Sequence, residues 1–501
     1  MASTTTTAAG LYSFNVPTAA NYTVRVVDGT VTPARALVAN GSTTGLVPVQ
    51  TYVYNDVNRV GGETPSLQDA AANTTSATLT SLTTATTTAQ SIKAITVPAA
   101  GLTTVDFGFN FDLIVNNSNT GQGSLRQFIL NSNTIAGENA LAQVYTPTTG
   151  ATTALPTGVE KSIFMIPNGV SVAGQRAGLT NQFATTTGAS TATTITLNSV
   201  LTNITGVSTS IDASTQTRST GDSNAVVTTA GSESTGPEVI INFNGVANGL
   251  STSAANTSLL NMGLTGTDAA GGAPTSAFSI VAGGTGAIVQ GNTFYTNGAN
   301  LRINGVGGAT ISGNVSRNAL SNNSDGIEVT SSSNNAITNN QFLNNAGFGI
   351  DFISGTSTGN NITGNTFSTN GQNSSNGQTA GIGFRSADAS NNTVSSNIFT
   401  NNVGDGISAI AGTNNIFSRN SFSNNGDLAI DLANGSATNG FVNGDGVTIN
   451  AATATRTGAN NLVNFPILTT ASVGTTDLVL NGYARPGALV ELYLAAADPT
   501  N

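Results

Sequence analysis

Three amino acids are absent from the 501-residue chain: cysteine, histidine and tryptophan. The absence of cysteine excludes disulfides and thiol chemistry. The absence of histidine excludes Ser-His and Cys-His catalytic pairs and every histidine-ligated metal site. Any catalysis by this chain would therefore depend on other side chains, chiefly carboxylates and arginines.

Charge is also scarce, because Asp, Glu, Lys and Arg make up only 8% of the chain. The 14 basic residues are outnumbered by 24 acidic ones, which gives a net charge of −10. No basic cluster is present, and this argues against a nucleic-acid partner. No apolar run approaches the length of a membrane span. The first residues lack the charged and apolar regions of a signal peptide. Residues 10–14 read as the middle of a module, so we expect a fragment of a longer protein.

One short motif recurs six times between residues 289 and 425. It begins with an apolar residue, and these residues are Val289, Ile311, Ile337, Ile362, Val394 and Phe417. Asparagine follows three positions later, at Asn292, Asn314, Asn340, Asn365, Asn397 and Asn420. Phenylalanine comes two positions further on, at Phe294, Phe342, Phe367, Phe399 and Phe422, with Ser316 in the remaining copy. The copies are about 22–26 residues apart, with one interval of about 32, and such a period is typical of a solenoid.

A second phrase, with alternating apolar residues, follows most copies. Its instances are residues 325–329, 349–352, 381–384, 405–407 and 427–432. Alternation over four to six residues between Gly and Asn predicts short strands. Such short strands can bury their apolar side only by stacking turn upon turn.

The recurring asparagines predict a structural ladder. A side-chain amide has two donor hydrogens and two acceptor lone pairs, so Asn at one corner of every turn can bond the Asn above and below. Asparagine also tolerates the left-handed backbone that a sharp corner requires. We therefore expect the six asparagines to form one ladder along the solenoid.

In residue type, position and period, the segment 285–432 resembles the right-handed parallel β-helix repeats (PbH1 repeats) of pectate-lyase-like proteins. The resemblance implies an all-β, right-handed parallel β-helix. We expect this solenoid over residues 158–455, and about a dozen turns over 110–455. The resemblance specifies the fold and says much less about function.

Smaller modules are predicted on both sides of the solenoid. Residues 1–109 carry alternating strands that predict a β-sandwich, and they resemble prealbumin-like or Ig-like modules of bacterial surface proteins. Residues 110–157 form a junction in which Ser124 is an N-cap candidate for an amphipathic helix that would cover the first turn. Its segment 119–133 resembles the opening segment of large bacterial surface β-helix proteins. Residues 456–501 predict an exit strand and part of an Ig-like module.

Carboxylates and arginines are the candidates for catalysis, since the β-helix class includes polysaccharide lyases and hydrolases. The candidates in the repeat region are Asp325, Glu328, Asp351, Asp388, Asp405, Asp427 and Asp431, with Arg302, Arg317, Arg385 and Arg419. Neighbouring turns, roughly 4.8 Å apart, could supply a carboxyl pair. Asp351, Asp405 and Arg385 are the catalytic candidates that we single out. The alternative, which we favour, is that Asp325, Asp405 and Asp427 occupy one turn position as good turn formers.

One N-terminal segment resembles a calcium loop. Asp56, Asn58 and Glu63 place oxygen ligands at spaced positions, as Ca²⁺ requires. Later acidic positions at the proper spacing are missing, and we favour an ordinary turn. No other cofactor is expected.

The sequence thus predicts a non-catalytic fragment of a secreted cell-surface adhesin or structural stalk. Its Asn- and Thr-rich outer faces suggest surface glycans or other cells as partners. The alternative is a polysaccharide lyase or glycoside hydrolase of the β-helix class. Whether copies of the chain assemble into fibres is left open.

Overall fold

A computed structural model describes residues 3–16, 19–56, 58–63, 91–136, 144–145, 153–154, 158–186, 190–221, 236–267, 275–319, 324–372, 377–433, 446–452 and 456–493. The chain divides into two compact units. The first comprises residues 1–136, 145–153 and 163–182, and the second comprises 137–144, 154–162 and 183–501. The predicted domain boundaries remain predictions.

The second unit contains the predicted right-handed parallel β-helix, which is confirmed. Each turn passes through three strands, and each strand pairs in parallel with its counterpart one turn later. The first-strand sheet consists of Glu160–Lys161, Thr209–Asp212, Ser258–Leu260, Ile288–Gln290, Thr310–Ser312, Ala336–Thr338, Asn361–Thr363, Thr393–Ser395 and Ile416–Ser418.

The other two faces are built in the same way. The second-strand sheet consists of Phe183–Thr186, Ser190–Thr196, Val239–Asn242, Gly263–Thr265, Thr293–Tyr295, Val315–Arg317, Gln341–Leu343, Thr366–Ser368, Ile398–Thr400 and Ser421–Ser423, the first of which is antiparallel to the second. The third-strand sheet consists of Leu250–Thr252, Ser276–Ile280, Ala299–Asn304, Ile327–Thr330, Ile350–Ser354, Ile382–Phe384, Ile407–Ala409 and Ile430–Leu432.

The β-helix has about seven turns, because seven full turns separate the eight strands of the third-strand sheet. The prediction of about a dozen turns was therefore wrong. The less regular early part of the chain adds few turns. Between the strands Thr209–Asp212 and Val239–Asn242, for example, the chain forms a helix, Ser214–Thr220, and a long connection. At the spacing of parallel strands, seven turns extend roughly 34 Å.

The interior is formed by the predicted apolar and aromatic rows. Ile311, Ile337 and Ile362 are paired in register and buried. The rings of Phe342, Phe367, Phe399 and Phe422 stack with centroids 4.8, 4.7 and 5.0 Å apart. Ser316 occupies the same row, paired with Phe294 before it and Phe342 after it.

Three asparagine ladders run along the corners, where the sequence predicted one. The predicted ladder is confirmed: it contains Asn292, Asn314, Asn340, Asn365, Asn397 and Asn420. A second ladder contains Asn335, Asn360, Asn392, Asn415 and Asn460. A third contains Asn345, Asn370, Asn402 and Asn425. The prediction placed the left-handed backbone on the ladder asparagines. Within the turns it falls instead on the residue before each ladder asparagine, such as Asn339 (φ 55°) before Asn340, and only the terminal member Asn460 (φ 46°) is itself left-handed.

The first unit contains small sheets and one α-helix. Its paired strands are Asn21–Arg25 with Ile92–Thr96, Val49–Val53 with Phe107–Asn110, and Leu113–Ile114 with Ile163–Phe164. The α-helix is Leu125–Thr134, where Ser124 caps the N-terminus by accepting the Gln127 N–H. A 3₁₀ turn spans Asp28–Thr30. The Ig-like or prealbumin-like character of this region and the capping of the first turn stay predictions.

The remaining elements are short. The strands Val144–Tyr145 and Thr153–Ala154 form a two-stranded sheet. A 3₁₀ turn, Ala459–Leu462, precedes an antiparallel hairpin of Ile467–Val473 and Leu478–Tyr483. The expected exit strand therefore begins later than predicted and pairs within this hairpin. The Ig-like character of residues 456–501 also stays a prediction.

Candidate functional site

The outer face of the third-strand sheet brings charged side chains from successive turns into one row. Strand pairing places Arg302 beside Glu328, Glu328 beside Asp351, and Asp351 beside Gly383. These residues alternate with inward apolar ones, so their side chains project outward from the sheet. The row contains one of the predicted catalytic residues, Asp351, with two charged neighbours on the preceding turns.

A second predicted residue, Arg385, lies directly on Asp351. Its Nε is 2.9 Å from Oδ1 of Asp351, and its Nη2 bonds Oδ2. Such a two-point contact is the strong form of the arginine–carboxylate pair. Asp351 is 0% exposed. The structure therefore joins two of the three catalytic candidates in a buried ion pair.

Asp325 completes the centre of this cluster from the turn before the strand Ile327–Thr330. Its Oδ1 accepts the Phe348 N–H of the next turn at 2.6 Å. Its carboxyl group lies near that of Asp351, whose negative charge disfavours ionisation of Asp325. Burial, followed by the nearby charges of Asp351 and Glu328, raises the pKa of Asp325 well above its usual range. Burial also raises the pKa of Asp351, although Arg385 opposes the shift.

Glu328 lies on the same face, with Arg302 as its nearest cation. Nε of Arg302 is 3.8 Å from Oε2 of Glu328, and no hydrogen-bond donor within the described chain reaches that oxygen. Burial raises the pKa of Glu328 to about 7, against the opposing charge of Arg302. The cluster thus contains three carboxyl groups and two guanidinium groups.

The cluster is covered rather than open. Asp325, Glu328 and Asp351 are 1%, 2% and 0% exposed. The ring of Phe348 lies over Gly383, where a Cβ atom would come within 2.7 Å of it. Among the described residues, these exposures leave almost no carboxyl surface that a polymer could reach.

The third catalytic candidate, Asp405, lies apart from this cluster. It is buried, and its Oδ1 accepts the Leu428 N–H of the next turn at 2.9 Å. Asp405 and Asp325 each lie two residues before strand positions that are in register, so they occupy equivalent positions of the repeat. The interpretation of these residues as turn formers predicted this equivalence. Asp427 does not share that place, because Leu428 is the residue in register with Asp405.

The remaining candidates are dispersed. Asp431 lies in the outward row of the third-strand sheet and accepts the Gly446 N–H at 3.1 Å. Asp388 is exposed, and Arg317 is buried on the second-strand sheet. Arg419 lies at a corner of the last turn. These residues do not join Asp351 and Arg385.

The calcium candidates mainly make local contacts in the first unit. Oδ1 of Asp56 accepts the Asn58 N–H at 3.1 Å, and Oδ2 faces Arg59 at 3.5 Å. Oδ1 of Asn58 accepts the Gly174 N–H at 2.9 Å. Glu63 is buried, which raises its pKa to about 7. Within the part of the chain that the structure describes, no group of three or more acidic side chains is disposed to hold a metal ion.

One family model matches the regular part of the chain. The family described as right handed beta helix region matches residues 278–464. No curated protein matches the chain. Among the described residues, no helix is long and apolar enough to cross a membrane.

Three solved structures are similar at low identity. ORF18 of Geobacillus virus E2 is 13% identical, with a TM-score of 0.24 over 48% of this chain and 50% of that chain. The chain thus spans half the length of that protein. The A-module of the Azotobacter vinelandii mannuronan C-5 epimerase AlgE4 is 10% identical, with a TM-score of 0.18 over 52% of this chain and 90% of that chain. The AlgE6 A-module from the same organism is 11% identical, with a TM-score of 0.17 over 48% and 89%.

Proposed function

We propose that this chain, whose residues 278–464 match the right-handed β-helix region, is a non-catalytic fragment of a secreted cell-surface adhesin or structural stalk. In this proposal the β-helix acts as a stiff spacer that presents its outer faces to surface glycans or to other cells. The flanking modules would join it to the rest of the surface protein.

The observation that carries the proposal is the burial of the charged cluster. The carboxyl group of Asp325 accepts the Phe348 N–H, and that of Asp351 is paired with Arg385. Groups that are covered and paired in this way hold adjacent turns together. They are poorly placed to act on a bulky polysaccharide, because a general acid or base must come within hydrogen-bonding distance of its substrate.

The outer faces of the first- and second-strand sheets support an extracellular spacer. Their outward positions carry uncharged polar side chains in many turns, as in Thr310 and Ser312 or Thr393 and Ser395. Such a surface can accept and donate hydrogen bonds to sugar hydroxyls without attracting charged macromolecules nonspecifically.

A second candidate function is a polysaccharide lyase or glycoside hydrolase. It is favoured by one observation: two neighbouring carboxyl groups with raised pKa values, those of Asp325 and Asp351, lie beside Arg385. Glycosidases commonly use two carboxyl groups with different pKa values, so that one is protonated and acts as the acid while the other is ionised and acts as the base or nucleophile.

A paired assay separates the two functions. Glycan-array and whole-cell binding should be measured beside the release of unsaturated or reducing ends from anionic and neutral polysaccharides. We expect binding without turnover. Turnover that disappears in Asp351→Asn or Asp405→Asn, and persists in the exposed control Asp388→Asn, would establish the enzyme instead. Circular dichroism of each variant would separate lost chemistry from lost folding.

A further inference from the structure

The last turn of the β-helix has no following turn among the described strands. In the interior turns, the residue before each asparagine of the first ladder donates its backbone N–H to a carbonyl one turn later. Thus Asn339 donates to the Thr363 carbonyl at 3.1 Å, and Ser396 donates to the Ser418 carbonyl at 3.2 Å. Arg419 occupies this position in the last turn, where no further carbonyl of the solenoid follows.

A carboxylate takes the place of the missing carbonyl. Oε2 of Glu491, from the segment after the C-terminal hairpin, accepts the Arg419 N–H at 2.8 Å. The hydroxyl groups of Ser418 and Tyr493 bond the same carboxylate. These hydrogen bonds lower the pKa of Glu491 to about 2, so the group is charged over the whole physiological range.

A second corner of the last turn is closed by an amide. Oδ1 of Asn460 accepts the Asn415 N–H at 2.9 Å, and its Nδ2 donates to the Asn415 carbonyl at 2.8 Å. Asn460 belongs to the 3₁₀ turn Ala459–Leu462, which lies outside the three sheets. It nevertheless supplies the last rung of the second ladder.

The third corner differs from these two. Thr369 and Asn401 donate their N–H groups to the carbonyls of Thr400 and Ser423. Asn424 occupies the same position in the last turn, and its N–H finds no acceptor within the described part of the chain. At two of the three corners, therefore, one backbone N–H group of the last turn is bonded by a residue from beyond the solenoid: Arg419 by Glu491 and Asn415 by Asn460.

We propose that Glu491 and Asn460 act as terminal rungs that prevent a strand from a second copy of this chain from adding to the last turn. Unpaired strand edges are templates for such addition. The inner-row residues Phe417 and Phe422 are only half-buried in the last turn. A turn of the same repeat would continue these rows in register, and a second copy of the chain carries that repeat.

The test compares full-length Glu491→Ala with the wild type and with Asp477→Asn, which alters an exposed carboxylate in the turn of the preceding hairpin. Hydrogen exchange at Arg419 and molar mass by light scattering would be measured over a range of protein concentrations. We expect exchange at Arg419 to become about tenfold faster, as loss of a charge-assisted hydrogen bond implies. We also expect Glu491→Ala to form dimers or larger species at concentrations where the control matches the wild type.

Two results would overturn the proposal. Unchanged exchange at Arg419 would show that Glu491 does not close the corner. Faster exchange without any increase in molar mass would show that the closed corner does not exclude a second copy. Asn460→Ala provides an independent measurement at Asn415, and Glu491→Gln, which keeps an acceptor oxygen, should fall between alanine and wild type.

Discussion

A ladder asparagine uses every hydrogen-bonding group of its side chain. Nδ2 of Asn365 donates to Oδ1 of Asn397 and to the Ile337 carbonyl. Its Oδ1 accepts both the N–H and Nδ2 of Asn340. The side chain is 0% exposed, so no other residue type could fill this corner without leaving a buried polar group unpaired.

We predict that Asn365→Ala lowers the free energy of unfolding by about 1–3 kcal/mol, because the amides of neighbouring rungs lose their partners in a buried corner. Chemical denaturation would measure the loss. Asn361→Ala is the matched control, since Asn361 is exposed four residues earlier on the same turn. Equal losses in the two variants would contradict a special role for the ladder.

Glu328 should make stability depend on pH. Its pKa is about 7 in the folded state against an ordinary 4.5, so folding is favoured when the group is protonated. The contribution of Glu328 to stability is then largest below about pH 4.5 and falls as pH rises to about 7, by up to about 3 kcal/mol. Glu328→Gln, which is neutral at every pH, should reduce this slope.

Thermal denaturation from pH 5 to pH 8 would measure the effect, with Asp477→Asn as the control that keeps the wild-type slope. Glu63 has a similar raised pKa, so some slope will remain in the variant. A Glu328→Gln slope identical to that of the wild type would show that Glu328 is ionised in the folded protein at pH 5.

At the scale of single residues, the spacing of asparagines in the repeat predicted one of the three ladders and missed the other two. The first ladder stands out because an apolar residue precedes and a phenylalanine follows each asparagine at fixed distances. The other two lie in Asn-rich corners, where neighbouring asparagines such as Asn391 and Asn392 cannot be told apart by spacing. Only the structure shows that Asn391 has the left-handed backbone while Asn392 is the rung.

At the scale of the secondary-structure elements, the phenylalanine rows decide which residue can stand just before each third strand. Glycine recurs at the start of the third strand because a ring occupies the space where its Cβ would lie. At Gly381 a Cβ atom would come within 2.7 Å of the Phe399 ring and 2.8 Å of the Gly406 carbonyl. In the last turn, where no later ring among the described residues stacks on the row, register places Ala429 at this position.

We predict that Gly381→Ala destabilises the protein by about 1–3 kcal/mol through overpacking against the ring. The reverse change in the last turn, Ala429→Gly, should cost about 1 kcal/mol or less. Denaturant midpoints of both variants would check this difference. A larger loss at Ala429 than at Gly381 would mean that chain flexibility, not ring contact, decides the residue at this corner.

Strands were predictable where alternation and period agreed, as in Ile337 and Ile362. The charged cluster was predictable only in part. Asp351 and Arg385 were singled out, and aligning the phrases 325–329 and 349–352 would have placed Glu328 beside Asp351. The cover over the cluster carried no such signal, because Phe348 leans over Gly383 through a contact that no sequence pattern encodes.

At the scale of the whole molecule, a solenoid gains its stability from contacts between neighbouring turns. Interior turns have a neighbour on each side, whereas the last turn has one. We therefore predict slower amide hydrogen exchange around Ile362 and Phe367 than around Phe417 and Phe422. Exchange followed by mass spectrometry would show this gradient, and uniform protection would indicate that the solenoid opens as a single unit.

The first asparagine ladder also contributes a net dipole along the axis of the β-helix. From Asn292 to Asn397 every Nδ2 donates to the side-chain oxygen of the ladder asparagine one turn later, so these side-chain amide dipoles point the same way. Aligned dipoles add, as peptide dipoles do in an α-helix, and chained hydrogen bonds polarise one another. Partial negative charge therefore gathers at the first turn and partial positive charge at the last. An anion such as the Glu491 carboxylate is favoured at the end where it lies, and the two ends of the solenoid are unlike electrostatic environments.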